Sequence, residues 1–112
     1  MSTMPTIQML YDDSVISEKE IKELGLFLRE LCLNSKNLNV KASFAYAENP
    51  KIKVNLFPIE IYIKITRSKI LNQGALLKEI ENGLRHWKVS KEFPHPINIL
   101  LMPMDWEILG PI

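Results

Sequence analysis

The chain has 112 residues, 46% of them apolar and 24% charged, the balance of a soluble globular protein with one core, which excludes a disordered or membrane-embedded chain. A formal charge of +1 leaves no electrostatic footprint for DNA or RNA, since phosphate binding needs clustered Lys and Arg. No apolar run reaches the roughly 18 residues of a membrane helix, and the opening residues lack the basic and apolar regions of a secretory signal. A single cysteine, Cys32, makes no internal disulfide. The cytoplasm is the expected compartment, with no membrane or nucleic-acid partner.

PTIQMLY (Pro5–Tyr11) reads as a strand, with Ile7, Met9 and Tyr11 on one face and Thr6, Gln8 and Leu10 on the other. After the turn residues DDSV, Ser17 and Glu20 form a capping box at a helix start. Ile21, Leu24, Leu28, Leu31 and Cys32 then recur at helical spacing, and NSKN ends the helix. Leu38, Val40, Ala42, Phe44 and Tyr46 alternate with Asn39, Lys41, Ser43 and Ala45 as a second strand. Asn49 and Pro50 mark a turn. Lysines alternate with apolar residues in KIKVN (Lys51–Asn55), the wet side of a strand, and Ile52, Val54 and Leu56 suggest a short extra one. PIEIYIKIT (Pro58–Thr66) is the clearest strand, with Ile59, Ile61, Ile63 and Ile65 forming one wall. A second helix from about Leu71 to Lys88 buries Leu76, Leu77, Ile80, Leu84 and Trp87, and the prolines of FPHP stop it. PINILLM (Pro96–Met102) is the last strand.

The order is strand, helix, strand, then strand, helix, strand, in a single domain over 1–112 made of two units, about 5–46 and 58–104. A proline opens the first and third strands, and each helix holds one interior glycine, Gly25 and Gly83. The expected fold class is α+β, a βαββαβ two-layer sandwich with a four-stranded mixed sheet and two helices on one face. Periodicity alone leaves a ferredoxin-like alternative open. There the strands interleave as 4-1-3-2, whereas pairing within each unit gives 2-1-3-4.

The opening MPTIQM, the basic residue of NVKAS, the run IEIYIKITRSKI before the second helix and the close on MPMDW resemble the tautomerase superfamily. Its two-unit members, similar to 5-carboxymethyl-2-hydroxymuconate isomerase and macrophage migration inhibitory factor, are nearest in layout. The resemblance runs from Met4 to about Ile108 and implies the 2-1-3-4 sheet, a homotrimer and cofactor-free keto–enol chemistry on a small-molecule carboxylate. It implies Pro5 as the catalytic base, Lys41 and Arg67 as substrate-binding cations and Trp106 as part of an apolar wall. A free prolyl nitrogen is a secondary amine whose pKa falls when it is desolvated, and a base near the working pH can shuttle a proton beside a carbonyl. That role requires a mature chain beginning at Pro5, because an amide-bonded proline has no basic lone pair.

Read from the residues alone, Pro5 is a strand-start proline and Lys41 a solvated lysine. Arg67 is a surface partner for Glu79 or another acid, and Trp106 is packing. Asp12 and Asp13 fall in the turn before the capped helix and favour its positive end. His86 and His95 lack a ligand pattern, so no metal or cofactor is expected, and Cys32 reads as a small core residue. The second function class is a non-catalytic oligomerising or ligand-binding domain on the same scaffold. Leu10 and Tyr62 opposite the core faces, together with the tail residues Met102, Met104, Trp106, Ile108, Leu109 and Ile112, point to an oligomer.

Overall fold

Two parallel strand pairs, each closed by a crossover helix, meet along their first strands. The computed structural model describes residues 5–51, 57–105 and 111. Its elements are β1 (Thr6–Tyr11), α1 (Glu18–Asn34), β2 (Phe44–Glu48), β3 (Ile59–Thr66), α2 (Gln73–Ser90) and β4 (Asn98–Met104), with a single 3-10 turn, Arg67–Lys69, after β3. The extra strand expected at Ile52–Leu56 lies outside the described residues. The sheet order is β2-β1-β3-β4, with β1/β2 and β3/β4 parallel and β1/β3 antiparallel. Strands pair within their own unit, which excludes the interleaved ferredoxin-like order.

Alternation on the central strands decides where the core sits. Ile7, Met9 and Tyr11 face the helices from β1, and Ile59, Ile61, Ile63 and Ile65 face them from β3. Each fully buried isoleucine contributes about 1.5–3 kcal/mol relative to an exposed one. Ile21, Leu24, Leu28 and Cys32 of α1 and Leu76, Ile80, Leu84 and Trp87 of α2 complete the same cluster. Leu77, expected inside, is instead 46% exposed. Leu76, Ile80, Leu84 and Trp87 already form the buried stripe of α2, and Leu77 stands at its margin.

Helix ends follow local chemistry. Ser17 Oγ accepts from the Glu20 amide at 3.1 Å while Glu20 Oε1 accepts from the Ser17 amide at 3.0 Å, as the capping box requires. Asn72 caps α2, its side-chain oxygen accepting from the Ala75 amide at 3.0 Å. The prolines of FPHP are not what ends that helix. Glu92 takes φ 53°, and the amides of Phe93 and Glu92 return to the carbonyls of Lys88 and Val89 at 2.9 and 3.2 Å. This is a Schellman motif with a non-glycine residue in the left-handed position.

β2 departs most from expectation. It begins at Phe44 rather than Leu38, because residues 37–39 take other backbone partners. The Asn39 amide donates to the Lys69 carbonyl and the Leu71 amide to the Asn37 carbonyl, both at 2.8 Å, around a bridge between Leu38 and Ile70. Its helix-side residues are Ala45 and Ala47, in register with Ile7 and Met9, while Phe44 and Tyr46 stack on the uncovered face at 5.7 Å. Close helix approach explains the small residues. A Cβ at Gly25 of α1 would stand 2.7 Å from Met9 Cε and 3.8 Å from Ala45 Cβ. Gly83 of α2 instead faces the other helix, 2.7 Å from Leu31 Cδ1 on the same construction, so the two glycines are not structural equivalents.

Replacing Glu92 with glycine removes a left-handed strain of roughly 1–2 kcal/mol against an unfolded-state entropy cost of roughly 0.5–1 kcal/mol. Glu92→Gly is therefore expected to raise the unfolding free energy by up to about 1 kcal/mol, read from the urea midpoint.

Candidate functional site

The topology gathers four chain segments at one end of the sheet: the start of β1, the loop entering β2, and the ends of β3 and β4. Pro5 is buried at the start of β1, and its carbonyl accepts from the Phe44 amide at 3.0 Å. Thr6 pairs with Phe44 on one side and with Lys64 on the other, so β3 runs past Pro5 into Arg67. Thr66 pairs with Met104, which brings Asp105 to the same end. Lys41 lies in the loop three residues before Phe44, exposed, and not on the polar face of a strand. Trp106 lies outside the described residues.

Arg67 is held by Asp105, not by Glu79. Its Nε is 3.2 Å from Asp105 Oδ1 and 3.4 Å from Oδ2, an exposed pair of modest strength. Glu79 is engaged elsewhere, accepting from Ser35 Oγ and, at 3.2 Å, from Asn37 Nδ2. That knot and the backbone bonds between residues 37–39 and 69–71 tie the loop of Lys41 to the connection that carries Arg67.

Several polar groups on the uncovered face, running from Lys64 toward the far end of the sheet, escaped the sequence reading. Lys64 Nζ donates to Gln8 Oε1 at 3.1 Å, and Gln8 Nε2 to Glu48 Oε1 at 3.3 Å, forming a row across three strands on the uncovered face. Beside it Tyr62 donates to Glu60 Oε2 at 2.9 Å, and this hydrogen bond raises the phenol pKa. The signal was the alternation in IEIYIKIT, which set Glu60, Tyr62 and Lys64 opposite the isoleucine wall. Among the described residues, Ser43 Oγ and Thr66 Oγ1 are buried without a hydrogen-bond partner. No sequence pattern marks them, because an orphan hydroxyl is a property of packing. A separate groove of about 490 Å³ opens between α2 and the first half of β4, lined by Leu77, Leu84, Ile97 and Ile99 with Arg85 and Lys88, away from Pro5.

The fold has solved counterparts. A 5-carboxymethyl-2-hydroxymuconate delta-isomerase is similar at TM-score 0.64 and 8% identity, covering 99% of this chain and 88% of that one. The chain has a tautomerase-like fold. A Vibrio cholerae protein of unknown function shares it at TM-score 0.58 and 12% identity, over 96% of this chain and 86% of its own. So does a probable enzyme from Aspergillus fumigatus, at TM-score 0.56 and 14% identity, over 98% and 84%. No family model and no curated protein matches the sequence.

Within the tautomerase-like fold the remaining candidates take structural places. Asp12 Oδ1 accepts from the Ser14 amide and hydroxyl at 3.0 and 2.6 Å, shaping the turn before α1. His95 Nε2 lies 2.8 Å from Glu20 Oε2, and the Glu20 carboxyl is held below its usual range first by the Ser17 amide and then by His95. Among the described residues no group of three or more His, Cys, Asp or Glu side chains could hold a metal, and no helix is long and apolar enough to cross a membrane. Burial, with the Glu79 carboxylate adding to it, pushes the Cys32 thiol up to about 12, so it stays protonated and inert. A disulfide reagent such as dithionitrobenzoate at pH 8 is expected to leave the native protein unmodified and to titrate one thiol after unfolding in guanidinium.

Proposed function

We propose that this chain, processed to begin at Pro5, is a cofactor-free tautomerase or isomerase acting on a small enolisable carboxylate. The observation that carries the reading is the meeting of Pro5, the loop of Lys41 and Arg67 at one end of a β2-β1-β3-β4 sheet. Removal of residues 1–4 is part of the proposal, because only the freed secondary amine has a lone pair to act as base. Burial at the start of β1 lowers the pKa of such an amine toward the working pH. The amine takes a proton from the carbon beside the carbonyl, electron density moves onto the carbonyl oxygen, and the same proton returns at another position of the conjugated system. Lys41 and Arg67 hold the substrate carboxylate and offset the developing enolate charge. Lys41 does so as a point charge, without the two-pronged grip of a guanidinium. The likeness to a 5-carboxymethyl-2-hydroxymuconate delta-isomerase supports the reaction class. The working form is a homotrimer in the cytoplasm.

The test compares two forms, beginning at Ser2 and at Pro5, in keto–enol exchange of phenylpyruvate and 2-hydroxymuconate. The Pro5 form is expected to turn over and the Ser2 form not. Pro5→Ala in the short form is expected to lose roughly 10²–10⁴-fold in kcat/KM, the usual worth of a positioned base. Equal rates for Pro5→Ala and the unaltered chain would remove Pro5 from the mechanism.

A second reading, an oligomerising or ligand-binding domain without catalysis, is favoured by the uncovered sheet face. Phe44, Leu100, Met102 and Met104 are 51%, 41%, 38% and 40% exposed there, and faces of this kind commonly meet a copy of the same chain. Sedimentation at micromolar concentration is expected to give a trimer, and a clean monomer would remove the oligomer from both readings.

A further inference from the structure

The prolyl-base reading leaves open what holds the amine, and two orphan hydroxyls bear on it. Among the described residues, Ser43 Oγ and Thr66 Oγ1 are buried with no hydrogen-bond partner. A buried polar group left unpaired keeps its full desolvation penalty, and orphans of this kind call for a specific explanation. Both residues stand at the end of the sheet where β1 begins.

Strand register separates them. In an extended strand the nitrogen and carbonyl of one residue point toward the same neighbouring strand. The Pro5 carbonyl accepts from the Phe44 amide at 3.0 Å, so the Pro5 nitrogen is turned toward the segment entering β2. Thr6 pairs with Phe44, which sets Ser43 beside Pro5 on that flank. On the other flank Thr6 pairs with Lys64, so Thr66 belongs to the strand that the Pro5 nitrogen does not face.

We propose that Ser43 is a positioning residue for the amine of Pro5. Its Oγ accepts a hydrogen bond from the protonated prolyl nitrogen. The neutral amine, on taking the substrate proton, carries two N–H bonds. One is donated to Ser43 Oγ, and the other holds the proton that returns to the substrate, so no further proton donor or acceptor is consumed. A hydrogen bond to the charged form favours it and opposes the fall in pKa that burial imposes. Ser43 thus sets both the direction of the lone pair and the pH at which it becomes available.

The test is a ¹⁵N NMR titration of the prolyl nitrogen in the form beginning at Pro5, labelled with ¹⁵N-proline, alongside the pH profile of kcat/KM. Ser43→Ala is expected to lower the amine pKa by about half a unit to one unit and to move the acid limb of the profile by the same amount. Ser43→Thr, which keeps the hydroxyl, is expected to restore both, and Thr66→Val to leave both unchanged. An amine in Ser43→Ala that titrates with the unaltered protein, or one that shifts equally in Thr66→Val, would overturn the assignment. If the amine shifts as expected but no form turns over substrate, the assignment of Ser43 stands and the prolyl-base reading fails. Turnover without a shift removes Ser43 alone.

Discussion

The antiparallel contact between β1 and β3 is the constraint from which the rest of the architecture follows. It joins two strand-helix-strand units head to tail, in a register that sets Ile7 against Ile63 and Met9 against Ile61. Parallel crossovers are right-handed almost without exception. Two right-handed units related by a half-turn about an axis normal to the sheet place both helices on one side. One face is therefore buried under α1 and α2, and the other keeps its side chains uncovered. The same half-turn sends the starts of β1 and β2 and the ends of β3 and β4 to one end. Pro5, the loop of Lys41 and the turn of Arg67 are set at that end by register, without any long-range motif in the sequence.

Much of this was legible, for physical reasons that differ from element to element. The isoleucine wall of β3 and the Ser17–Glu20 box act locally, so their patterns survive in the primary structure. Strand order does not, because both candidate layouts place the first and third strands centrally, and only the resemblance favoured the layout that the structure has. β2 misled the reading because residues 37–39 bond to residues 69–71 instead of extending the strand, and its larger apolar residues face outward. Alanines lie beneath α1, where the helix comes within contact of Met9, and alternation reports period but not which side is inside. Leu77 misled it through the width of a helical stripe.

At the site, residue types were readable but their partners were not. Arg67 has an acid partner as expected, yet the partner comes from the end of β4 and not from α2. Glu79 is committed to Ser35 and Asn37, a three-residue knot visible only once α1 and α2 are docked. Lys64 belongs to the PIEIYIKIT strand pattern, and its place in a row with Gln8 and Glu48 follows from register alone. The orphan oxygens of Ser43 and Thr66 lay furthest from sequence reasoning, since they are defined by what fails to reach them.

The backbone ties between residues 37–39 and 69–71 fasten the entrance of β2 to the exit of β3, across the opening strand that both flank. Segments joined in this way are coupled in geometry. A change in length on one side has to be absorbed by its opposite number, or the tie breaks. Variation in this part of the molecule is therefore expected to come in compensating pairs, one in each half of the chain, and not as independent loop edits.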